Sequence, residues 1–512
     1  MKWLVFLLVA LAFAAGAGDA APEGRAVAPE GQMTWGVHTT LVPSYFDPAE
    51  TIIGTSFMVL YGLHDALVKP MPGKKLAASL AEGWTVSADG LVYDFALRKD
   101  ARFHNGDPVT AEDAKFSFER YKGIYAKTLK DHVAALETPD PLRFRIRLKQ
   151  PWPDFMIYYG MYSASAGWIV PKKYVEKVGD EGFKKAPIGA GPYRFVSFKP
   201  GVELVLEAFD QYWRKTPSVK RLVFRVIPDP STRLAALKRG EVDLVFSLVG
   251  ELADEAKRTP GVKLKALYPS VHWLSFTEQW DPKSPWYDRR VRLAANLAID
   301  RRALDQVRTG GLSRITGSII PTTAEYYWAP PAPQTDPARA KQLLAEAGFA
   351  NGFAAGDYYC DMTSVDAAEA MIGYLQAVGI RAKLRPLERA AFNKSVAEKK
   401  LRGLVQLIGP GGLGTAARTL EAYVVAGGPF TYGSYPDVDG LFREQAGVLD
   451  RAKRAALLHR IQQLVHDQAM FAPMYELAFV NGVAGRVEES ALGLIAGFAF
   501  SAPYEDVKLK AR

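Results

Sequence analysis

The chain has 512 residues, of which 48% are apolar and 12% aromatic. This is enough for a packed core of about three domain-sized units, and it excludes a disordered chain. The net charge of +9 comes from Lys and Arg residues scattered among acids, which favours a solvated surface over a nucleic-acid-binding face. The single cysteine, Cys360, excludes an intramolecular disulfide and a lipid-modified cysteine at the mature N-terminus.

Residues 1–21 have the pattern of a secretory signal peptide. Lys2 precedes an apolar run over residues 3–15, and small residues then offer cleavage sites ending at Ala17 and Ala21. The run is too short for a membrane span, and no later stretch reaches the length that a spanning helix needs. We therefore expect an exported, soluble protein of a bacterial periplasm, with its signal peptide cleaved.

The segment RFHNGDPVTAEDAKFSFERY, residues 102–121, holds a histidine and three carboxylates within ten residues. An active site, a metal site and ordinary structure are the three interpretations. His104 lies before a turn at 105–108, whereas the acids Glu112 and Asp113 follow it at the start of a helical pattern. Thr110 and Asp113 have the spacing of a capping box, and no second histidine stands at the spacing of a metal site. We interpret this segment as structural.

Several later segments have the pattern of α/β units. Gly189–Pro192 precedes a predicted strand over residues 193–198, so it reads as a strand-entry turn rather than a phosphate loop. Asp229, Asp288 and Asp336 stand at predicted helix N-termini, and proline follows the first and third of them. A strand over residues 242–246 is predicted after the first of these helices.

The most informative stretch is residues 364–418. A helix ending at Gly379, a strand over 380–387, a helix through Phe392 and a strand over 404–408 follow in order. In such open α/β sheets, ligands bind beyond the carboxyl ends of the strands, which here is the glycine-rich loop 409–415. The loop has phosphate-loop glycine spacing, but Thr415 stands where the essential lysine should be, which argues against a nucleotide site.

A set of short motifs distributed over nearly the whole mature chain resembles the peptide/nickel (family 5) extracellular solute-binding proteins, the receptors of bacterial ABC importers. The motifs are LAEGW (80–84), SADG (87–90), FAL (95–97), FHNG (103–106), TAED (110–113), FER (118–120), PIGAGPYRF (187–195), GEVD (240–243), DRRVR (288–292), AID (298–300), DPARAKQLL (336–344) and AGF (347–349). Each motif is weak alone, and together they are specific.

The resemblance implies an α/β fold of the two-lobed, periplasmic-binding-protein-like type (type II, large cluster with an extra inserted subdomain). After the signal peptide 1–21, the implied parts are lobe I (28–70, 187–267 and 479–512), its inserted subdomain (71–186) and lobe II (268–478). A ligand between the lobes would favour the closed form, which would dock on permease subunits of an ABC transporter at the inner membrane.

The resemblance also places the candidate ligand-binding residues. Peptide-binding relatives typically carry a tryptophan and an amine-binding aspartate near the glycine loop; here the nearest charged residue is Arg418. We expect Arg418 and backbone N–H groups of Gly411, Gly412 and their neighbours to receive an anionic or polyhydroxylated group. The remaining cleft candidates are Thr39, Thr40, Tyr45, Phe46, Tyr162, Ser163, His272, Trp273, Trp280 and Tyr432.

We therefore expect a non-catalytic receptor for an oligopeptide, a peptide-like solute, an opine or a sugar conjugate. It should need no cofactor and no metal, and it should have no nucleic-acid partner. The alternative is a secreted hydrolase or metalloenzyme, but the sequence has no Gly-x-Ser-x-Gly elbow and no His-Glu-x-x-His motif. His459 and His466 share one helical face, a pattern that favours a solvated surface over a metal site.

Overall fold

A computed structural model describes residues 28–50, 54–123, 125–160, 166–331, 333–410, 414–495, 498–500 and 502–511, so the predicted signal peptide lies outside the described residues. The strands are β1 (Glu30–Val37), β2 (Asp65–Ala66), β3 (Val68–Met71), β4 (Lys74–Ala78), β5 (Ala81–Val86), β6 (Val92–Leu97), β7 (Val133–Asp140), β8 (Arg143–Leu148), β9 (Trp168–Ile169), β10 (Tyr193–Lys199), β11 (Glu203–Ala208), β12 (Val219–Val226), β13 (Leu244–Leu248), β14 (Val262–Phe276), β15 (Arg314–Ile315), β16 (Phe353–Asp361), β17 (Ile380–Leu387), β18 (Leu404–Pro410), β19 (Phe471–Ala484), β20 (Val487–Glu489) and β21 (Lys508–Leu509).

The α-helices are α1 (Phe57–Leu63), α2 (Ala111–Arg120), α3 (Ala126–His132), α4 (Phe155–Gly160), α5 (Lys172–Lys185), α6 (Pro230–Lys238), α7 (Glu251–Arg258), α8 (Arg289–Ala298), α9 (Arg301–Thr309), α10 (Pro337–Glu346), α11 (Val365–Ala377), α12 (Arg389–Ala397), α13 (Ala416–Tyr423), α14 (Pro436–Gln445) and α15 (Arg451–Asp467). Among the helices described, none has the length and apolar content to cross a membrane.

Eleven of the described strands form one sheet. Ten of them follow the order β10-β11-β12-β1-β13-β19-β14-β18-β16-β17, and the short strand β15 also pairs with β19. The longest of these strands, β14 and β19, pair antiparallel along their length, and their register shifts between Leu267 and Ser270. Pro269 lies at this shift and has no N–H to donate, which accounts for a break in the ladder there. The pair of β14 and β19 thus connects the two halves of the sheet.

Each half of the sheet has its own apolar core. Around β1 and β10–β13, Trp35, Phe224 and Tyr504 pack with their rings 5.3–5.8 Å apart, and we call this half the first lobe. Around the second half of β14 and β16–β18, buried side chains cover both faces of the sheet, and we call this half the second lobe. The domain boundaries given above stay a prediction.

A smaller sheet of order β5-β6-β8-β7 packs against α2 and α4, and we call this unit the inserted subdomain. His104 joins it to the first lobe: its Nδ1 accepts from Gly189 N at 3.3 Å, so its Nε2 carries the proton and donates to Gly191 O at 3.0 Å. Burial lowers the pKa of His104 to about 3, which keeps the ring neutral. The structural interpretation of this segment is confirmed.

The predicted helix starts are also confirmed. Asp229, Asp288 and Asp336 each accept a hydrogen bond from a backbone N–H in the first turn of α6, α8 and α10. Thr110 and Asp113 form the reciprocal capping box of α2. The strand predicted over 242–246 is β13, Leu244–Leu248, and the backbone of Asp243 just before it already pairs with Thr34 of β1 and Ala484 of β19.

Strands β16, β17 and β18 pair parallel, so their carboxyl ends open at one edge of the sheet. The predicted strand 380–387 is β17, and the predicted strand 404–408 extends by two residues to Pro410 in β18. Helices α11 and α12 connect them as predicted. This edge sets the position of the site described below.

Replacing Asp113 with alanine should destabilise the inserted subdomain. The buried carboxylate accepts from Thr110 N at 2.9 Å and from Lys172 N at 2.9 Å, and both N–H groups would lose their partner. We expect the free energy of unfolding to fall by roughly 1–3 kcal/mol in urea titrations. Glu112→Ala, an exposed change one residue away, is the control and should have a much smaller effect; equal effects would contradict the capping role.

Candidate functional site

A cleft of about 1260 Å³ lies between the inserted subdomain and the second lobe. Tyr125, Thr128 and Tyr158 of the inserted subdomain form one wall, and β18, α12 and α13 of the second lobe form the other. Asp361 at the end of β16 and Gly409 near the end of β18 both line it. The cleft therefore lies at the carboxyl edge of the parallel strands, where open α/β sheets bind ligands.

Arg418, on the first turn of α13, faces two tyrosines of the opposite wall. Its guanidinium carbon lies 4.3 Å from the ring centre of Tyr125 and 5.7 Å from that of Tyr158. Its Nη1 is buried and has no hydrogen-bond partner within the part of the chain that the structure describes. Burial lowers the pKa of Arg418 to about 10, so the side chain keeps its charge at neutral pH. The cleft thus presents a desolvated cation held by aromatic faces.

Glu421 lies one turn after Arg418 and is hydrogen-bonded to Tyr158, one of the two tyrosines that face Arg418. The hydroxyl of Tyr158 donates to Glu421 Oε2 at 3.2 Å across the cleft. Burial raises the pKa of Glu421, while the hydrogen bond from Tyr158 and the charge of Arg418 act in the opposite direction. Tyr158 therefore contacts both charged groups of α13.

The other carboxylates of the cleft have partners. Asp361 accepts from Arg389 Nε at 2.9 Å. Asp439 accepts from Ala426 N at 2.9 Å and from the Ser434 hydroxyl at 2.7 Å. These acids are satisfied, whereas three buried atoms of the described cleft have no hydrogen-bond partner: Arg418 Nη1, Ser364 Oγ and Gln406 Nε2. Of the three, Arg418 Nη1 is the one that belongs to a charged group.

Aromatic and aliphatic side chains supply the rest of the second-lobe wall. Trp273 of β14 packs edge to face with Tyr423, with ring centres 5.0 Å apart, and its Nε1 donates to Ser275 Oγ at 3.1 Å. A Cβ at Gly409 would lie 2.3 Å from the Trp273 ring, so only glycine leaves room for the indole there. Phe392 and Phe430 extend this apolar lining.

The structure brings Trp273 and Arg418 together in the cleft and places other predicted residues elsewhere. Tyr162, Ser163, Gly411 and Gly412 lie outside the described residues. In the first lobe, Thr39 and Thr40 follow β1, Tyr45 is half-buried, and Phe46 is fully buried against Phe198. Trp280 packs on Tyr435 with ring centres 4.8 Å apart, and the half-buried Tyr432 lies outside the set of residues that line the cleft.

His272 lies on the opposite face of the sheet from Trp273, because successive side chains of a strand alternate. Its ring packs on Tyr475 with centres 5.5 Å apart, and only 1% of the residue is exposed. Burial, with a smaller contribution from the charge of Arg308, lowers the pKa of His272 to about 3. His272 is a neutral core residue of the second lobe.

Tyr125, Tyr158 and Glu421 are among the cleft residues that the sequence did not single out. Tyr158 lies close in sequence to the candidates Tyr162 and Ser163, so the sequence indicated this region but not Tyr158 itself. The spacing of Arg418 and Glu421, three residues apart on one helix, was a signal that could have identified Glu421. Tyr125 has no local signal, since it reaches the site only through the fold.

Within the described ranges, no group of three or more His, Cys, Asp and Glu side chains is placed to hold a metal ion. Cys360 is buried in the second-lobe core, and burial raises the pKa of its thiol to about 11. A thiol with such a pKa stays protonated at neutral pH.

The buried neutral state of His272 predicts a loss of stability in acid. The unfolded histidine has a pKa near 6.5 and the folded one about 3, so the unfolded state gains protons first as the pH falls below 6.5. Between pH 7 and pH 5 this one residue should lower the free energy of unfolding by about 2 kcal/mol. His272→Gln should remove that part of the pH dependence in urea unfolding, whereas His459→Gln on α15 should keep it; identical profiles for His272→Gln and the unmodified chain would contradict the assignment.

Residues 75–423 of the chain match the family described as "Bacterial extracellular solute-binding proteins, family 5 Middle". Heme-binding protein A of Haemophilus influenzae is 29% identical over 477 residues, which are 85% of this chain and 86% of that protein. The glutathione-binding protein GsiB of Salmonella paratyphi A is 30% identical over 321 residues, which are 62% of this chain and 60% of that protein.

Among solved structures, HbpA2 from Haemophilus parasuis superposes with a TM-score of 0.80 at 23% identity, over 94% of this chain and 100% of that one. This likeness shows the shared fold, so the expected two-lobed α/β fold is confirmed. The matched segment contains the predicted motifs from residue 80 to residue 349 and the cleft residues from Tyr125 to Tyr423. The chain belongs to the bacterial extracellular solute-binding proteins of family 5.

Proposed function

We propose that this solute-binding protein captures a small solute with a carboxylate or another anionic group, and that Arg418 is the anchor for that group. The observation that carries the proposal is the buried Nη1 of Arg418, which has no hydrogen-bond partner among the described residues that surround it. A guanidinium fork pairs with carboxylate or phosphate through two parallel hydrogen bonds. Removed from water, such a pair is stronger than on the surface.

The charges of the cleft favour an anion over an amine as the buried group. The acids that line the cleft already accept hydrogen bonds, and Glu421 in particular accepts from Tyr158. An amine would have to share Glu421 or Asp439 with the neutral donors that these carboxylates already accept from, whereas an anion would give Arg418 Nη1 the partner that it lacks among the described residues. We therefore propose that the buried group of the solute is an anion in this protein, whereas relatives that bind peptides hold an amine with an aspartate.

The volume and the apolar wall add to the proposed ligand class. A cleft of about 1260 Å³ exceeds the roughly 300–1,000 Å³ of ordinary small-molecule pockets, so a peptide-like solute, an opine or a sugar conjugate fits better than a single amino acid. Trp273, Tyr423 and Phe430 would cover an apolar or sugar face of the solute. Two relatives are named for heme and for glutathione, and both of these compounds carry carboxylates.

The proposed action is capture and delivery without turnover. A solute that touches both Tyr158 on one wall and α13 on the other favours the closed arrangement, because only there does it contact both. The closed protein would then dock on the permease of an ABC importer, after export of the chain to the periplasm. The amides of Gly411 and Gly412 are further proposed partners of the anion. The proposed outer contacts of the solute are Tyr162, Ser163, Thr39, Thr40 and Tyr45. Formation of product from a bound solute would favour the hydrolase alternative.

Replacing Arg418 with methionine should weaken binding of an anionic solute. Glutathione is the first probe, followed by heme, opines, sugar phosphates and short peptides, with binding measured by calorimetry and by the shift of the unfolding midpoint. Loss of a charged hydrogen bond in a buried site should lower affinity about 10- to 100-fold.

The matched control is Arg443→Met, which removes an exposed arginine that lines the same cleft. It should change affinity only a few-fold, because a solvated charge contributes little. Unchanged affinity of Arg418→Met for a solute that binds the unmodified chain would overturn the anchor. Binding of only neutral or cationic solutes would overturn the anionic class and leave the family assignment in place.

A further inference from the structure

A buried ion pair joins the inserted subdomain to the second lobe. Nη2 of Arg454, on α15, donates to Oδ2 of Asp154 at 2.6 Å, and only 3% and 16% of the two side chains are exposed. The two residues are 300 positions apart in sequence and belong to the two units that carry the walls of the cleft, the inserted subdomain and the second lobe. The pair therefore exists only when the two walls are together.

Arg454 is held in place by its own lobe. Its Nε donates to Gln445 Oε1 at 2.9 Å, and its guanidinium lies 5.5 Å from the ring centre of Tyr326. These contacts orient the fork toward the inserted subdomain, so little side-chain freedom is lost when the carboxylate arrives. The second lobe thus presents a preformed cation to Asp154.

Asp154 in turn fixes the helix that carries Tyr158. The backbone oxygen of Asp154 accepts from Ile157 N at 2.9 Å and from Tyr158 N at 3.2 Å, which places Asp154 at the start of α4. A Cβ at Gly414 would lie 2.5 Å from the Ile157 side chain, so the loop before α13 is in close contact with the same helix. The first turn of α4 is thereby held on the second lobe, with Tyr158 over Arg418 and Glu421.

We propose that Asp154 and Arg454 form a latch that holds the cleft closed and positions Tyr158 over the solute anchor. In the open arrangement water solvates both charges, so removal of the carboxylate charge costs little there. In the closed arrangement the same change leaves Arg454 buried without its counter-charge, which is strongly unfavourable. The charge of Asp154 therefore acts on the balance between open and closed forms, beyond any role in the proposed recognition of an anion.

Distances between one spin label on the inserted subdomain and one on the second lobe, measured by pulsed electron paramagnetic resonance in the full chain, test the latch. Labels go on cysteines introduced at the exposed positions Lys99 and Lys383, and the single native cysteine is fully buried. Asp154→Asn should lower the ratio of short-distance to long-distance populations about tenfold. Asp154→Glu, which keeps the charge, should retain most of the short-distance population.

The matched control is Asp94→Asn, which removes a carboxylate paired with Arg143 and Arg145 inside the inserted subdomain. It should leave the populations of the two distances unchanged, and circular dichroism should show that each variant is folded. Equal distance distributions for Asp154→Asn and Asp94→Asn, including a long distance in both, would overturn the latch. No solute is added in this measurement, so its outcome is independent of whether Arg418 binds an anion.

Discussion

The pairing of β14 with β19 is the interaction on which the rest of the structure depends. Both strands span the two lobes, β14 running from the first into the second and β19 in the opposite direction, and neighbours on either side extend them into the two halves of the sheet. The register shift beside Pro269 separates the part that belongs to each lobe. Because Trp273 and His272 follow this shift, the register also decides which of them faces the cleft.

Burial has opposite consequences for the two kinds of basic side chain in this protein. It lowers the pKa of His272 and His104 to about 3, so both are neutral and act as packing and hydrogen-bonding groups. It lowers the pKa of Arg418 only to about 10, so the guanidinium remains a cation in a site where Tyr125 and Tyr158 replace part of its water. A permanent charge at this position is suited to binding, since it needs no change in pH to attract an anion.

Local features of the fold could be predicted from the sequence because their physical causes are local. Asp229, Asp288 and Asp336 cap helices with their own side chains, and strand β17 has the bounds that the sequence gives. The location of the cleft beyond β16–β18 followed from the order of strands and helices. The order of elements did not predict which side chains face the cleft. A choice between His272 and Trp273 requires the register of the strand.

The cleft also joins residues that no sequence pattern links. Tyr125 and Tyr158 lie more than half the length of the matched family segment away from Arg418 in sequence, yet their rings cover its guanidinium. Recognition of the family indicated the region of Arg418 through a departure from the expected tryptophan and aspartate. It could not indicate the opposite wall, which depends on how the inserted subdomain is placed.

Tyr158 connects the two charged features of the cleft. Its hydroxyl donates to Glu421, its ring covers Arg418, and its helix directly follows Asp154, the partner of Arg454. A change in the separation of the walls therefore alters the surroundings of Arg418 through this one side chain. In the proposed open form, Glu421 and Arg418 would both lose Tyr158 and gain water, so each charge would be easier to accommodate there. In the proposed complex, a solute anion would have the reverse effect, because it would give Arg418 Nη1 the hydrogen-bond partner that it lacks among the described residues.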